Sequence, residues 1–186
     1  MFTALLDANV LVPVSLADTV LRAAEKGLFL PRWSPTILDE VQRTLSHVRS
    51  DVPASRIAAR LAAMDSCFPE ASVHHYERLL PYISTPDDAD RHVVAAARLG
   101  HADVIVTRNL RDFPPASLQP WNLEAVDPDC FLQDMLDLFP DAVVEAVREQ
   151  ARDTRRPPRG VADILMSLER AGVPRFADEL RRHVGG

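Results

Sequence analysis

Four acidic residues stand at positions where an α/β chain brings remote segments together: Asp7, Glu40, Asp90 and Asp112. Each falls at the end of a predicted strand, near the start of a predicted helix, or one loop beyond a strand. In a doubly wound parallel sheet, the carboxyl ends of the strands and the starts of the following helices share one edge of the molecule. The four carboxylates can therefore converge, although they span more than a hundred residues of the chain.

Carboxylates gathered in this way favour a divalent cation as their partner. Without a compensating base they raise one another's pKa values, and a cation relieves that repulsion. Hard oxygen ligands suit Mg²⁺ or Mn²⁺. A cation held there can lower the pKa of a bound water, orient that water in line with a phosphodiester and neutralise charge on the leaving oxygen. The pattern therefore predicts metal-dependent phosphodiester hydrolysis.

Other chemistries receive less support from the sequence. No Ser-His-Asp or Cys-His arrangement is evident, and the chain has no GxxxxGK[ST] motif for ATP. Cys67 and Cys130 lie far apart without a CxxC motif, so we expect two separate buried thiols and neither a zinc site nor a disulfide. Purely structural roles stay open for two of the acids. Glu40 could stabilise its helix through the helix dipole, and Asp90 could cap the N-terminus of its helix.

Short strands and helices alternate at the start of the chain. The run Ala4-Leu5-Leu6 predicts a buried strand that ends on Asp7. The segment from Val10 to Gly27 predicts a helix broken near Pro13, and Leu28-Phe29-Leu30 predicts a second strand. A strand, a crossover helix and a strand within so few residues form a parallel βαβ unit.

Glu40 lies on a predicted helix with clear start signals. Ser34 is placed to cap this helix, and Pro35 takes its first position. The helix carries an apolar stripe formed by Ile37, Leu38, Val41 and Leu45. Glu40 is adjacent to that stripe, so its side chain can point across the rim of the sheet.

The later elements of the core follow the same alternation. They are a helix over 52–67, a brief strand over 72–75, an alanine-rich helix from Asp90 closed by Gly100, a central strand over 104–106 and a last strand over 123–126. The β-branched run of the central strand ends in Thr107, and a polar loop then presents Asn109 and Asp112.

Beyond residue 127 the predicted structure is helical. Helices are predicted over 131–139 and 142–150, an Arg-rich linker over 152–160, and two short helices around the Gly-Val-Pro at 172–174. We therefore predict a nuclease-like α/β domain over residues 1–127 and a helical C-terminal extension over 128–186.

Composition and charge set wide limits on location and partners. The 186 residues are 47% hydrophobic and 26% charged, as in a globular protein. The net charge of −6 divides into −9 over residues 1–146 and +3 over 147–186, so charge alone does not decide the partner. No apolar run approaches the roughly 18–20 residues that span a bilayer, and residues 1–3 carry no basic leader; we expect a cytoplasmic protein.

Four blocks of the chain, taken in order, are Leu6–Leu11, Ser34–Val41, Asp90–Ala97 and Val106–Pro114. Together they resemble the PIN-domain family, and more narrowly the VapC-like ribonuclease toxins of bacterial toxin–antitoxin pairs. The resemblance covers about residues 1–127. It implies a three-layer α/β/α fold with a parallel sheet of order 3-2-1-4-5 and a Mg²⁺- or Mn²⁺-dependent endoribonuclease. It also implies an RNA substrate such as tRNA, a cognate antitoxin and a homodimer.

The resemblance assigns a role to each acid. Asp7 matches the acid of the first strand, Glu40 the helix acid, Asp90 the acid that starts the alanine-rich helix, and Asp112 the acid of the closing loop. All four would be catalytic, and the metal ligands would be Asp7, Asp90 and Asp112.

Three further residues would support these acids. Many relatives carry Asp where this chain has Asn109, so Asp112 would hold the second metal position alone and Asn109 would bind a metal-linked water or a phosphate. Asn9 and Thr107 would orient Asp7 and the attacking water.

Two other functions are compatible with the same residues. The chain could be a PIN-like RNA-binding or scaffold module whose acids no longer coordinate metal. An acid-pocket phosphatase is less well supported, because that chemistry normally needs a Lys at a nearby strand end and the single lysine, Lys26, lies near the end of a predicted helix.

Overall fold

The computed structural model describes residues 2–154 and 157–184; Met1, Arg155, Arg156, Gly185 and Gly186 lie outside the described residues. Arg155 and Arg156 belong to the predicted Arg-rich linker, so that part of the prediction lies outside the described residues. The elements along the chain are β1 (Thr3–Leu6), α1 (Ala8–Leu11), α2 (Val14–Glu25), β2 (Leu30–Arg32), α3 (Pro35–Val48), α4 (Ala54–Cys67), α5 (Arg91–Leu99), β3 (Val104–Val106), α6 (Pro115–Leu118), β4 (Glu124–Val126), α7 (Pro128–Leu138), α8 (Pro140–Asp153), α9 (Val161–Arg170) and α10 (Pro174–Val184).

The chain divides into two compact units. Residues 2–12 and 30–126 form the first, here called the sheet unit. Residues 13–29 join the described residues from 127 onward in the second, the helical unit. Helix α2 therefore belongs to the same unit as α7 to α10, whereas all strands belong to the sheet unit. The predicted functional boundary between residues 127 and 128 stays a prediction.

The sheet is parallel throughout, and its strands lie in the order β2-β1-β3-β4. Strand β1 is fully buried, as expected for a strand covered on both faces. Its register with β3 pairs Leu6 with Val106, and the backbone N–H of Asp7 donates to the Val106 carbonyl at 3.1 Å. The ends of the two central strands consequently lie side by side.

The predicted fold class, a central parallel α/β sheet followed by C-terminal helices, is confirmed, with one strand shortened. The four strands keep the neighbours that the predicted order 3-2-1-4-5 gives them. The strand predicted over 72–75 is reduced to a single parallel bridge between Ser72 and Trp33. His75 adopts a left-handed backbone conformation with φ 63°, which an extended strand does not allow.

The second strand begins later than the sequence predicts. Leu28 N donates to Ala23 O and Gly27 N donates to Ala24 O, which is the hydrogen-bond pattern of a Schellman cap. Gly27 takes φ 75°, the conformation this cap requires. Because the end of α2 uses Leu28 in this way, β2 starts at Leu30.

Helices α3 and α5 carry two of the predicted acids in the sheet unit. Ser34 Oγ accepts from Ile37 N at 3.2 Å with Pro35 at the first helical position, so the predicted start of α3 is confirmed. Helix α5 buries the run 93–97 and packs on β1 and β3, with its small alanine side chains on the buried face. No helix of residues 2–154 and 157–184 combines the length and apolarity needed to cross a membrane.

The two cysteines depart from expectation in one respect. Neither forms a disulfide within the described residues, as predicted. However, Cys67 is exposed and Cys130 is partly exposed, so the prediction of buried thiols was wrong. Cys67 is the last residue of α4.

The helical unit is stabilised by polar contacts between α2 and α8. The Thr19 hydroxyl donates to Gln150 Oε1 at 2.6 Å, and both residues are buried. Gln150 Nε2 donates to Ser15 O at 3.0 Å. Buried polar groups need partners of this kind, since an unsatisfied one costs about 1–3 kcal/mol. The C-terminal helices therefore supply partners that α2 requires.

Replacing Thr19 by Val tests this contact. The substitution keeps the shape of the side chain but leaves Gln150 Oε1 without its buried donor, so we expect the free energy of unfolding to fall by about 1–3 kcal/mol. Urea denaturation measures the change. Thr44→Val, at an exposed position of α3, is the matched control and should change stability by less than about 0.5 kcal/mol. Equal effects of the two substitutions would contradict the assignment.

Candidate active site

Asp7 lies at the buried end of β1 and is held by three hydrogen bonds. Its Oδ1 accepts from the N–H of Ala8 at 2.7 Å, which also caps α1. Its Oδ2 accepts from Thr107 Oγ1 at 2.7 Å and from Asn9 Nδ2 at 2.6 Å. The residue is only 7% exposed, so the carboxylate is fixed in direction.

Thr107 and Asn9 lie where the sequence placed them, in contact with Asp7. Asn9 Oδ1 accepts from the N–H of Arg108 at 3.0 Å, which ties α1 to the end of β3. The backbone N–H of Asn109 donates to Thr107 Oγ1 at 3.1 Å, while Asn109 itself is exposed. The predicted roles of these three residues in orienting water or binding phosphate stay predictions.

The surroundings of Asp7 disfavour its charge. Burial is the largest effect and raises the pKa of the Asp7 carboxyl, and the negative charge of Glu40 raises it further. The hydrogen bonds from Thr107 and Ala8 lower the pKa, as does the nearby His92, but they do not outweigh burial.

Asp90 lies immediately before α5, at the end of a short 3₁₀ helix over Asp88–Asp90. Asp87 provides the capping contact of this segment, because its Oδ1 accepts from Ala89 N at 2.9 Å. Among the described residues, Asp90 makes no capping hydrogen bond with its side chain. The simple N-cap interpretation therefore does not explain Asp90.

The carboxyl of Asp90 also has a raised pKa. Burial is again the first cause, followed by the negative charges of Asp112, Asp7 and Asp87, and together they raise the pKa to about 6. Asp112 and Asp7 therefore lie within electrostatic range of Asp90.

Asp112 ends the 3₁₀ turn that follows β3, and its side chain is 23% exposed. Its Oδ1 lies 3.6 Å from Nε of the exposed Arg111. Glu40, on α3, has a side chain that is 32% exposed, and its Oε1 lies 3.1 Å from His92 Nε2. The carboxylate of Glu40 acts on Asp7, and that of Asp112 acts on Asp90.

Two electrostatic effects connect the four acids: Glu40 raises the pKa of Asp7, and Asp7 and Asp112 raise the pKa of Asp90. Asp7 directly follows β1, and Asp112 ends the 3₁₀ turn beyond β3. Asp90 directly precedes α5, and Glu40 lies on α3. Their roles as catalytic residues or metal ligands stay predictions.

The donor set of this site fits a hard divalent cation. Carboxylate oxygens dominate. The pKa values of Asp7 and Asp90 are raised first by burial and then by neighbouring carboxylates, and a cation would relieve the second effect. Over residues 2–154 and 157–184, no three His, Cys, Asp or Glu side chains are arranged as a ready-made metal site. Mg²⁺ usually binds through one or two carboxylates and keeps several waters, so it does not require such an arrangement.

Sequence reasoning missed His92. The histidine lies two residues after Asp90, and its charge acts on both Asp7 and Asp90. Its position in the first turn of α5 was the available signal. Its contact with Glu40, however, joins residues that are more than fifty positions apart in the sequence.

Asp90→Asn should reveal the raised pKa of the Asp90 carboxyl as a pH-dependent difference in stability. A carboxyl with a raised folded-state pKa favours folding while it is protonated, and that contribution is lost as the pH rises through about 6. Without divalent ions, the variant should be more stable than the wild type at about pH 7, by up to about 1 kcal/mol after solvent screening, and should lose this advantage near about pH 4.

Urea denaturation over this pH range measures the difference. Asp39→Asn, at an exposed position of α3, controls for the loss of one charge and should follow the wild-type profile. A pH-independent effect of Asp90→Asn would contradict the raised pKa of this carboxyl.

Comparison with known proteins assigns the family. The PIN domain model matches residues 3–111, and the model of the VapC50 C-terminal domain matches residues 128–182. "Putative ribonuclease VapC50" of Mycobacterium tuberculosis (strain ATCC 25618 / H37Rv) is 41% identical over 93 residues, which are 50% of this chain and 54% of that protein. The match thus spans about half the length of that relative. No solved structure matches significantly.

These matches confirm the resemblance seen in the four sequence blocks. The PIN match alone covers more than half of the chain and includes Asp7, Glu40 and Asp90. The chain belongs to the PIN-domain family, and its residues 128–182 are similar to the VapC50 C-terminal domain.

Proposed function

We propose that this protein is a metal-dependent endoribonuclease, the toxin of a type II toxin–antitoxin pair, acting in the cytoplasm on tRNA or another structured RNA. The proposal is supported by the effect of Glu40 on the pKa of Asp7, and of Asp7 and Asp112 on the pKa of Asp90, in a PIN-family sheet unit. The name of the mycobacterial relative supports ribonuclease activity. PIN/VapC ribonucleases generally use divalent metals, and the all-carboxylate donor set favours Mg²⁺ or Mn²⁺ here.

In this mechanism the protein acts mainly by holding groups in place. Asp7, Asp90 and Asp112 would bind the ion, and the hydrogen bonds from Thr107 and Asn9 fix the direction of the Asp7 carboxylate. The bound ion would supply a more acidic water and would offset charge on the leaving oxygen. Glu40, next to Asp7, would accept the proton of the attacking water.

The partners proposed are a cognate antitoxin and a second copy of the chain. Residues 1–146 carry a balance of −9, which favours an antitoxin segment rich in basic residues. Co-purification with the product of the adjacent gene, at low and high salt, tests the first partner. Sedimentation of the isolated protein tests the homodimer.

A non-catalytic RNA-binding or scaffold module is the second candidate. The observation in its favour is that, within the described part of the chain, no three potential ligands form a ready-made metal site. The phosphatase interpretation loses support, because Lys26 forms an ion pair with Glu149 at 2.9 Å and is not available as a phosphate-binding group.

Cleavage of a structured RNA by the wild type and by Asp7→Asn, with Mg²⁺ or Mn²⁺, separates the two candidates. The nuclease proposal expects metal-dependent cleavage that falls by at least about 100-fold in Asp7→Asn, because the substitution removes a proposed ligand and its charge. Asp112→Asn should cause a loss of similar size. Gel analysis of end-labelled RNA gives the rates.

Asp39→Asn is the matched control, since this exposed acid is the neighbour of Glu40 on α3. Its rate should stay within about twofold of the wild type if only the clustered acids matter. Cleavage that survives both chelation and Asp7→Asn would remove the nuclease proposal. Acid-independent RNA binding without cleavage would support the scaffold candidate.

A further inference from the structure

His92 is a largely buried histidine that joins two helices of the candidate site. Its side chain is 12% exposed, and Nε2 lies 3.1 Å from Glu40 Oε1. His92 lies on α5 and Glu40 on α3, so this contact links the two helices that carry acids of the site. Because a carboxylate is an acceptor, Nε2–H is the donor of this hydrogen bond.

The other ring nitrogen of His92 has no evident structural use. His92 Nδ1 is buried and finds no hydrogen-bond partner in residues 2–154 and 157–184. A phenylalanine could fill the same space without an unsatisfied nitrogen, and buried polar groups without partners are unfavourable. An apolar ring would therefore serve a purely structural role better. The contact of Nε2 with Glu40 is what a histidine provides here and a phenylalanine does not.

Glu40 needs an external contact to hold one orientation. Its side chain is about one-third exposed and has several rotatable bonds. Its charge nevertheless raises the pKa of the buried Asp7, and His92 lowers it, so both groups lie within electrostatic range of Asp7. The hydrogen bond from His92 on α5 restricts the directions that the Glu40 carboxylate can take.

We propose that His92 is a positioning residue that fixes the Glu40 carboxylate beside Asp7 for the hydrolytic reaction. The inference rests on the proposed nuclease function and adds a residue to it. His92 acts through Glu40 and touches neither the RNA nor the ion. Its loss should affect the rate of the bound complex more than the binding of RNA.

Two substitutions of His92 separate the hydrogen bond from the bulk of the ring. His92→Phe keeps an aromatic ring but removes the donor, whereas His92→Gln retains an N–H donor near the position of Nε2. We expect His92→Phe to lower kcat roughly 10- to 100-fold, the range found when a residue that orients a functional side chain is lost, with KM changed by less than about threefold. His92→Gln should recover most of the lost kcat.

The control is His47→Phe, an exposed histidine on α3, which should leave kcat and KM unchanged. Combining His92→Phe with Glu40→Gln should lower kcat no further than Glu40→Gln alone, because the histidine acts through that carboxylate. Thermal unfolding of each variant monitors the fold. Additive losses, or a His92→Gln variant as slow as His92→Phe, would overturn the positioning role.

Nitrogen NMR of the imidazole rings provides a measurement that does not depend on activity. The Nε2 resonance of His92 should shift when Glu40 is replaced by Ala and stay unchanged in Asp39→Ala. If the wild type cleaves no RNA but this shift occurs, the proposed function fails while the His92–Glu40 contact stands. If the wild type cleaves RNA and the Nε2 resonance does not respond to Glu40→Ala, the inference fails while the nuclease function stands.

Discussion

The sheet unit depends on holding one carboxylate, that of Asp7, at the buried end of its central strand. Burial opposes the charge, and hydrogen bonds from Ala8, Asn9 and Thr107 favour it. Thr107 directly follows β3, the strand that pairs with β1. Its hydroxyl therefore reaches Asp7 only when β1 and β3 are in register. The pairing of the strands and the shape of the acidic site are therefore set by the same contact.

Much of this arrangement follows from local sequence signals. An apolar run that ends on an acid predicts a buried strand with a carboxylate at its rim, and Asp7 lies there. Ser34 and Pro35 define the start of α3 and thereby the position of Glu40. A β-branched run ending in Thr107 identifies the neighbouring central strand. These signals are readable because each depends on residues that are close together in the chain.

The parts that escaped prediction depend on backbone conformation or on contacts between distant residues. The strand predicted over 72–75 is reduced to one bridge, and His75 beyond it adopts a positive φ. The sequence pattern contains no information on this backbone conformation. The end of α2 takes Leu28 into its cap and delays β2. His92 and Glu40 meet because α3 and α5 approach each other, a consequence of helix packing that periodicity within either helix does not predict.

The membership of α2 in the helical unit has a consequence for synthesis of the chain on the ribosome. Helix α2 ends at Glu25, whereas α8, which provides Gln150 for Thr19, begins at Pro140. More than a hundred residues, including every later strand of the sheet, must be translated between these two helices. A nascent chain that already contains all of the acidic residues of the site therefore still carries α2 with an uncovered face. Completion of the helical unit is a late event in the biogenesis of the protein.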